Sequence, residues 1–273
     1  DPSLAKAFFR HKRLYTALAG VTILTSYERQ DRKDKGTMRR LLGLSIPSWG
    51  LLSATVLIVG AFLIALPAMS KEPYEGKLAF DIMRGDKLIG QHIITFREVD
   101  DETHVDIEVS LQVKIGFLTV FRYSHTNREV WRGGRLVSVT TDTDDNGKPF
   151  EVRAERRADG FHVQTLAEER VLTTAITPTS YWNSEILKNM RWFDTQRGIL
   201  LEIDLEEGDI EPVVLANGQS IEARRYDVTG DLNQTVWYTP EGEWVKLAFL
   251  ARGADIEYVL TDGYTGTSLT EAE

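Results

Sequence analysis

From Tyr74 to Asp262 much of the chain alternates apolar and polar residues, a period of two that leaves little but β structure open to it. The clearest stretch is Val105, Ile107, Val109, Leu111, Val113 and Ile115, interleaved with Asp106, Glu108, Ser110, Gln112 and Lys114. Successive side chains of a strand point to opposite faces, so one face here is buried and the other wet. Leu78, Phe80 and Ile82 repeat the pattern and turn at Gly85-Asp86 into Lys87–Phe96. Further strands are predicted at Thr119–Trp131, Leu136–Thr143, Phe150–Arg157, Phe161–Thr165 and near Val171–Ile176. Beyond residue 198 they continue at Ile199–Leu205, Gln219–Thr229, Asn233–Tyr238, Glu243–Phe249 and Ala254–Asp262. Gly133-Gly134, Asn146-Gly147, Asp159-Gly160 and Asn217-Gly218 lie between them, residues that tolerate the positive φ of hairpin turns.

One stretch breaks the period. In Thr177–Trp192, Trp182, Ile186, Leu187 and Met190 fall on one helical stripe, Pro178 precedes it, and Thr179 or Ser180 can cap it. The fold class expected is therefore mainly β, an antiparallel meander curled as a half-barrel or barrel around one short helix, with the half-barrel preferred. Roughly a dozen strands are too many for a flat open sheet.

Upstream of this domain the composition changes. Residues 1–70 carry 10 Lys/Arg against 4 Asp/Glu, whereas residues 71–273 carry 22 against 37. Met38-Arg39-Arg40, the apolar run Leu51–Leu66, and the small residues Ala68 and Ser70 read as a signal peptide over 38–70. The alternative is an uncleaved helix anchored in the inner membrane. Residues 1–37 are then an upstream extension, with helix expected near Leu4–Thr25; 73–262 is a single β domain and 263–273 a flexible tail. Location is expected to be periplasmic, with membrane contact only through residues 41–69 if they are retained. The acidic body disfavours nucleic acid, whose phosphates are bound by cationic side chains. With no cysteine in the chain, disulfides, thiolate nucleophiles and Cys-ligated metals are excluded.

Several ordered motifs carry a resemblance: Phe121–Trp131 (FRYSHTNREVW), Gly134–Ser138, Thr143–Gly147, Pro178–Asn183 (PTSYWN), Trp237-Tyr238 and Glu243–Leu247. Together, over about Tyr74–Leu260, they resemble an uncharacterised family, a domain of unknown function, of exported Gram-negative envelope β-proteins. The resemblance implies envelope location and a β-rich fold but no mechanism. The architecture is more loosely similar to the lipoprotein-carrier half-barrels, in which a curved sheet wraps helices around an acyl-chain cavity.

Two places offer candidate ligand-binding residues. Strand 119–131 puts Tyr123, His125, Asn127, Glu129 and Trp131 on one face, polar groups bracketed by aromatic ones. They suit a polar patch in a cavity or an interior network satisfying its own hydrogen bonds. His125 and Glu129 could also serve as base and orienting carboxylate, or as two ligands of a metal lacking its third. Ser180, Tyr181, Trp182 and Asn183 stand at the start of the expected helix, either fringing a cavity beneath the sheet or capping and anchoring that helix. Asp142–Gly147 begins like a calcium loop, but Arg153 stands where the bidentate Glu belongs. No nucleophile elbow, phosphate loop or dinucleotide fingerprint is present. The reading is thus a non-enzymatic module without catalytic residues, metal or cofactor, binding a lipid or other apolar molecule. The second reading is an envelope assembly module that docks a protein partner.

Overall fold

The structure is a computed structural model that describes residues 76–264 and, upstream, the backbone of strands β1 (Arg13–Leu18) and β2 (Val21–Ser26). The expectations for residues 38–70 and 265–273 lie outside the described residues. β1 and β2 pair antiparallel, with Leu18 opposite Val21, where a helix was expected. Their β-branched Val21, Thr22, Ile23 and Thr25 favour strand. Among the described residues no helix is long and apolar enough to cross a membrane.

Residues 76–264 form one antiparallel sheet of fourteen strands, in the order β10-β9-β8-β7-β6-β5-β4-β3-β16-β15-β14-β13-β12-β11. The first half comprises β3 (Lys77–Arg84), β4 (Lys87–Val99), β5 (Glu102–Ile115), β6 (Leu118–Arg132), β7 (Arg135–Asp145), β8 (Lys148–Arg157), β9 (Gly160–Thr165) and β10 (Glu169–Leu172). The second comprises β11 (Arg191–Asp194), β12 (Ile199–Val214), β13 (Ser220–Gly230), β14 (Gln234–Tyr238), β15 (Trp244–Ala251) and β16 (Ala254–Asp262). Each half is a chain of hairpins, and β16 pairs with β3 to join them. The sheet would close if β10 met β11, but these two are its edges. It is an open, curled sheet, the half-barrel form of the expected fold.

The connection from 173 to 190 explains why the seam stays open. A sheet of this many strands encloses more space than its own side chains fill. The connecting segment supplies the missing volume: Ile176, Tyr181, Trp182 and Ile186 are all buried, as are Trp192 and Phe193 of the β11 strand it leads into. Trp182 meets Phe96 of β4 and Trp131 of β6, each at 5.3 Å between ring centroids. On the opposite wall Tyr181 meets Trp244 of β15 at 5.5 Å. The segment therefore spans the interior as a plug. Thr177–Thr179 runs along the free side of β11, with Phe193 N–H donating to Thr177 O (2.7 Å) and Thr179 N–H to Phe193 O (3.0 Å).

This corrects the helix expected over Thr177–Trp192. Its helical part is a 3₁₀ turn of five residues, Ser184–Lys188, and Arg191–Asp194 is strand. The break is at Tyr181, whose φ of 64° is left-handed. Trp182 N–H donates to Ser180 O (2.9 Å), making a γ-turn of positive φ centred on Tyr181, a strained conformation for a large side chain. The turn sends Trp182 to β4 and β6 and Tyr181 to β14 and β15. Met190, expected on the buried stripe, is half exposed.

Two bulges shape the interior. At Trp237/Tyr238 the pairing slips, so that Tyr238 faces Trp244 while Trp237 faces Lys246; the extra residue, Val245, allows Trp244 and Val245 both to be buried. At Ile82/Met83 the extra residue is Ile89, followed by Gly90. A Cβ on Gly90 would lie 2.2 Å from Ser110 O and 2.4 Å from Leu111 Cβ. Gly90→Ala is thus expected to lower the unfolding free energy by about 1–3 kcal/mol, as overpacking does where backbone must shift, measured by denaturant titration. An unchanged midpoint would contradict this close approach.

Candidate functional site

The inner face of β6 is as the alternation indicates. Phe121, Tyr123, His125, Asn127, Glu129 and Trp131 are all buried. The structure also brings the two candidate groups together, because Ser180 and Trp182 of the plug meet Glu129. The Glu129 carboxylate accepts from Asn127 Nδ2 (2.8 Å), Trp131 Nε1 (2.9 Å) and Trp182 Nε1 (3.2 Å), and the Ser180 hydroxyl bonds to it as well. Burial pushes the carboxyl pKa up, and these hydrogen bonds oppose the shift. Nearby, Thr141 Oγ1 donates to Thr195 O (2.7 Å), and Tyr123 OH donates to Gln196 Oε1 (3.4 Å). The polar stripe of β6 and β7 thus fastens both the plug, at Glu129, and the turn between β11 and β12, at Thr195 and Gln196, to the wall. Buried polar groups are tolerated when they are hydrogen-bonded, and here the partners come from a segment more than 50 residues away.

The remaining candidates have structural tasks. Tyr181 OH lies 2.9 Å from the Gln234 amide nitrogen, and its carbonyl accepts from Tyr238 OH (2.7 Å). Asn183 caps the 3₁₀ turn through its side-chain oxygen, which accepts from Glu185 N–H (3.0 Å), so capping falls to Asn183 and not to Thr179 or Ser180. His125 and Glu129 do not form a base–carboxylate pair: His125 Nδ1 shares a hydrogen bond with Thr143 Oγ1 (2.7 Å), and Glu129 is held by the indoles. Asp142–Asp145 are the end of β7 and Asn146-Gly147 the two-residue turn into β8, in which Gly147 N–H donates to Asp144 Oδ1 (2.5 Å), and Arg153 pairs with Asp142 (2.8 Å). Among the described residues no group of three or more His, Asp or Glu is placed to hold a metal ion.

Above this network lies a layer with polar atoms that have no partner. His92, opposite Val109 of β5, shares a cross-strand row with His125. It sits among Phe80 (6.1 Å), Trp244 (5.4 Å) and Tyr258 (5.7 Å), and neither ring nitrogen is hydrogen-bonded. His125 Nε2, Asn127 Oδ1 and Tyr258 OH are likewise buried and unbonded. Burial lowers the pKa of His92 to about 3 and that of His125 to about 4, so both are neutral at pH 7.

Higher still, at the end of the sheet formed by the β3–β4, β5–β6 and β15–β16 hairpins, the structure has an apolar cup of about 210 Å³. Ile89, Val113, Ile115, Val120, Phe121 and Ile256 line it, and Arg84 and Arg252 stand at its rim. The Arg252 guanidinium lies over the Phe121 ring at 4.8 Å. None of these residues is among the sequence-based candidates, although Phe121 shares the inner face of β6 with five of them. They come from three hairpins brought together by the β3–β16 pairing across the whole domain. One local signal was readable: the alternation of β5 runs on through Val113 and Ile115, past the last buried residue, Leu111.

No curated protein matches the sequence. Solved structures that resemble the fold include the crystal structure of a beta-barrel-like protein of domain of unknown function DUF1849 from Brucella abortus. That match has a TM-score of 0.51 and 9% identity, and covers 70% of this chain and 98% of that one. At such low identity the likeness concerns the fold alone. The pattern named "Domain of unknown function (DUF6134)" matches residues 80–261, more than half of the chain, and on that match the chain belongs to the DUF6134 family.

Proposed function

We propose that this domain binds an amphipathic molecule, a lipid or other acyl-chain compound with an anionic head, and that the binding site is the cup between the hairpins. The observation that carries this reading is the pairing of an apolar lining with Arg84 and Arg252 at its rim. The interior beside Thr179–Asn183, the place the sequence suggests, holds the plug's own aromatic side chains. A volume of about 210 Å³ is below the roughly 300 Å³ of pockets that engulf a drug-sized ligand, so the cup suits the end of a chain and not a whole lipid. Each methylene it buries contributes about 0.8 kcal/mol, and the arginines select the charged head. Export to the periplasm, by cleaved signal or inner-membrane anchor, belongs to the same proposal and rests on Met38–Ser70.

Titration of the purified protein with a soluble fatty acid and the matching fatty alcohol tests this. Saturable binding of both is expected, tighter for the acid. Val113→Asp should weaken both at least tenfold, whereas Arg84→Gln with Arg252→Gln should remove only the preference for the acid. Absence of saturable binding to either compound would overturn the proposal. The assembly reading has less support: β10, the edge without a second neighbour among the described residues, is only four residues long and carries Glu169 and Arg170, features that blunt edge pairing.

A further inference from the structure

The β5–β6 connection is a two-residue turn, Gly116-Phe117, with Gly116 at φ 60°. Gly at the first central position supplies the positive φ such a hairpin needs, and the second position asks for nothing apolar. Yet Phe117 stands there fully exposed (101%), next to Ile115 (70%) and Leu118 (62%). Leu88 (58%) is likewise exposed on the neighbouring β3–β4 hairpin. Single exposed apolar residues need no explanation, but a contiguous set on a hairpin tip marks a contact surface.

The charges around it indicate what it contacts. On these two hairpins, residues 84–91 and 112–122, Arg84, Lys87, Lys114 and Arg122 stand against one acid, Asp86, in a chain of net charge −9, while Asp144 and Asp145 of the adjoining β7 flank Arg122. None of these four cations makes an ion pair with a described residue, although Arg97, Arg128, Arg132, Arg153, Arg157 and Arg224 elsewhere on the domain all do. Apolar tips ringed by uncommitted cations are complementary to a lipid surface, where acyl chains lie beneath anionic phosphates.

We propose that the β5–β6 tip, with Leu88, docks the domain onto an anionic phospholipid bilayer: Phe117 and Leu118 enter the interface, and Arg84, Lys87, Lys114 and Arg122 meet lipid phosphates. This surface borders the cup. It rests on the binding reading only in giving that cup a lipid source; docking and filling of the cup are separate events.

Because the chain contains no cysteine, one introduced thiol can be labelled selectively. In the full-length protein, Leu118→Cys carrying an environment-sensitive fluorophore is compared with Val214→Cys at the opposite end of the sheet. Vesicles of phosphatidylcholine with phosphatidylglycerol should blue-shift the label at 118 and leave that at 214 unchanged. Phosphatidylcholine alone should give little shift, and raising salt should weaken the effect. Adding Phe117→Asp should reduce the partition coefficient at least tenfold without altering Tm. The proposal is overturned by a folded protein whose label at 118 does not respond, or by equal shifts at both positions, which would mean adsorption through another segment. It is also overturned by a vesicle-independent shift that grows with protein concentration, which would make the patch a self-association surface. Fatty-acid binding measured without vesicles is unaffected by Phe117→Asp in either case, so failure of docking and failure of the cup are distinguishable.

Discussion

Glu129→Ala is expected to lower the unfolding free energy by about 3–5 kcal/mol, whereas Glu129→Gln should change it by about 1 kcal/mol or less, both read by denaturant titration. The alanine variant leaves the Trp131 and Trp182 indole N–H groups and the Asn127 amide buried without their acceptor, and opens a cavity at the point where the plug is fastened. Each stranded buried donor carries a penalty of about 1–3 kcal/mol. Gln keeps one oxygen for the two indoles. Its amide group then faces Asn127, whose Oδ1 has no partner in the native structure and can accept after the Asn127 amide rotates. Removing the charge forfeits little, since burial already disfavours the ionised carboxyl. An equal loss in both variants would show that the network needs the carboxylate charge itself.

The second large effect is acid sensitivity centred on His92. The native pKa values of about 3 for His92 and about 4 for His125 lie below the ordinary value of 6.5. Between 6.5 and those values the unfolded chain binds protons that the native state refuses. Stability therefore falls as pH drops through 6.5, and each histidine's share is fully lost at its native pKa. The slope is about 1.4 kcal/mol per pH unit for each histidine, or roughly 2 kcal/mol each by pH 5. Glu129 acts in the opposite sense, because its raised pKa lets the native state bind a proton first and returns part of the loss. His92→Phe should reduce the slope between pH 6 and 4.5 by about 1.4 kcal/mol per unit. It should also raise stability at pH 7 by about 1–2 kcal/mol, since two unbonded ring nitrogens give way to an apolar ring among Phe80, Trp244 and Tyr258. An unchanged slope would show that His92 is protonated in the native state.

The strands were legible because their signal is local. A period of two and a Gly or Asn at the turn are set within ten residues, and β6 and β16 appear within about a residue of the bounds the sequence indicates, while β5 ends where expected at Ile115 but begins three residues earlier, at Glu102. The inner face of β6 was legible for the same reason, down to the polar residues it buries. The plug was misread because Trp182, Ile186, Leu187 and Met190 have helical spacing. What overrides that spacing is the backbone reversal at Tyr181, held by Gln234, Tyr238 and Trp244. Trp244 is out of step with the alternation of Val245, Leu247 and Phe249, and it is the bulge at Val245 that places it inside.

By itself, then, the sequence determined the β class, the hairpin succession and which face of each strand is apolar, since alternation and turn chemistry act between neighbours. Only the tertiary structure decided that β3 meets β16, that the seam opens between β10 and β11, and that 173–190 fills the interior, leaving Glu129 bound to Trp182. It also brought together, from three hairpins, the apolar cup on which the proposed binding rests. These features depend on which distant residues share a volume, and a fourteen-stranded sheet sets that through its curvature and closure.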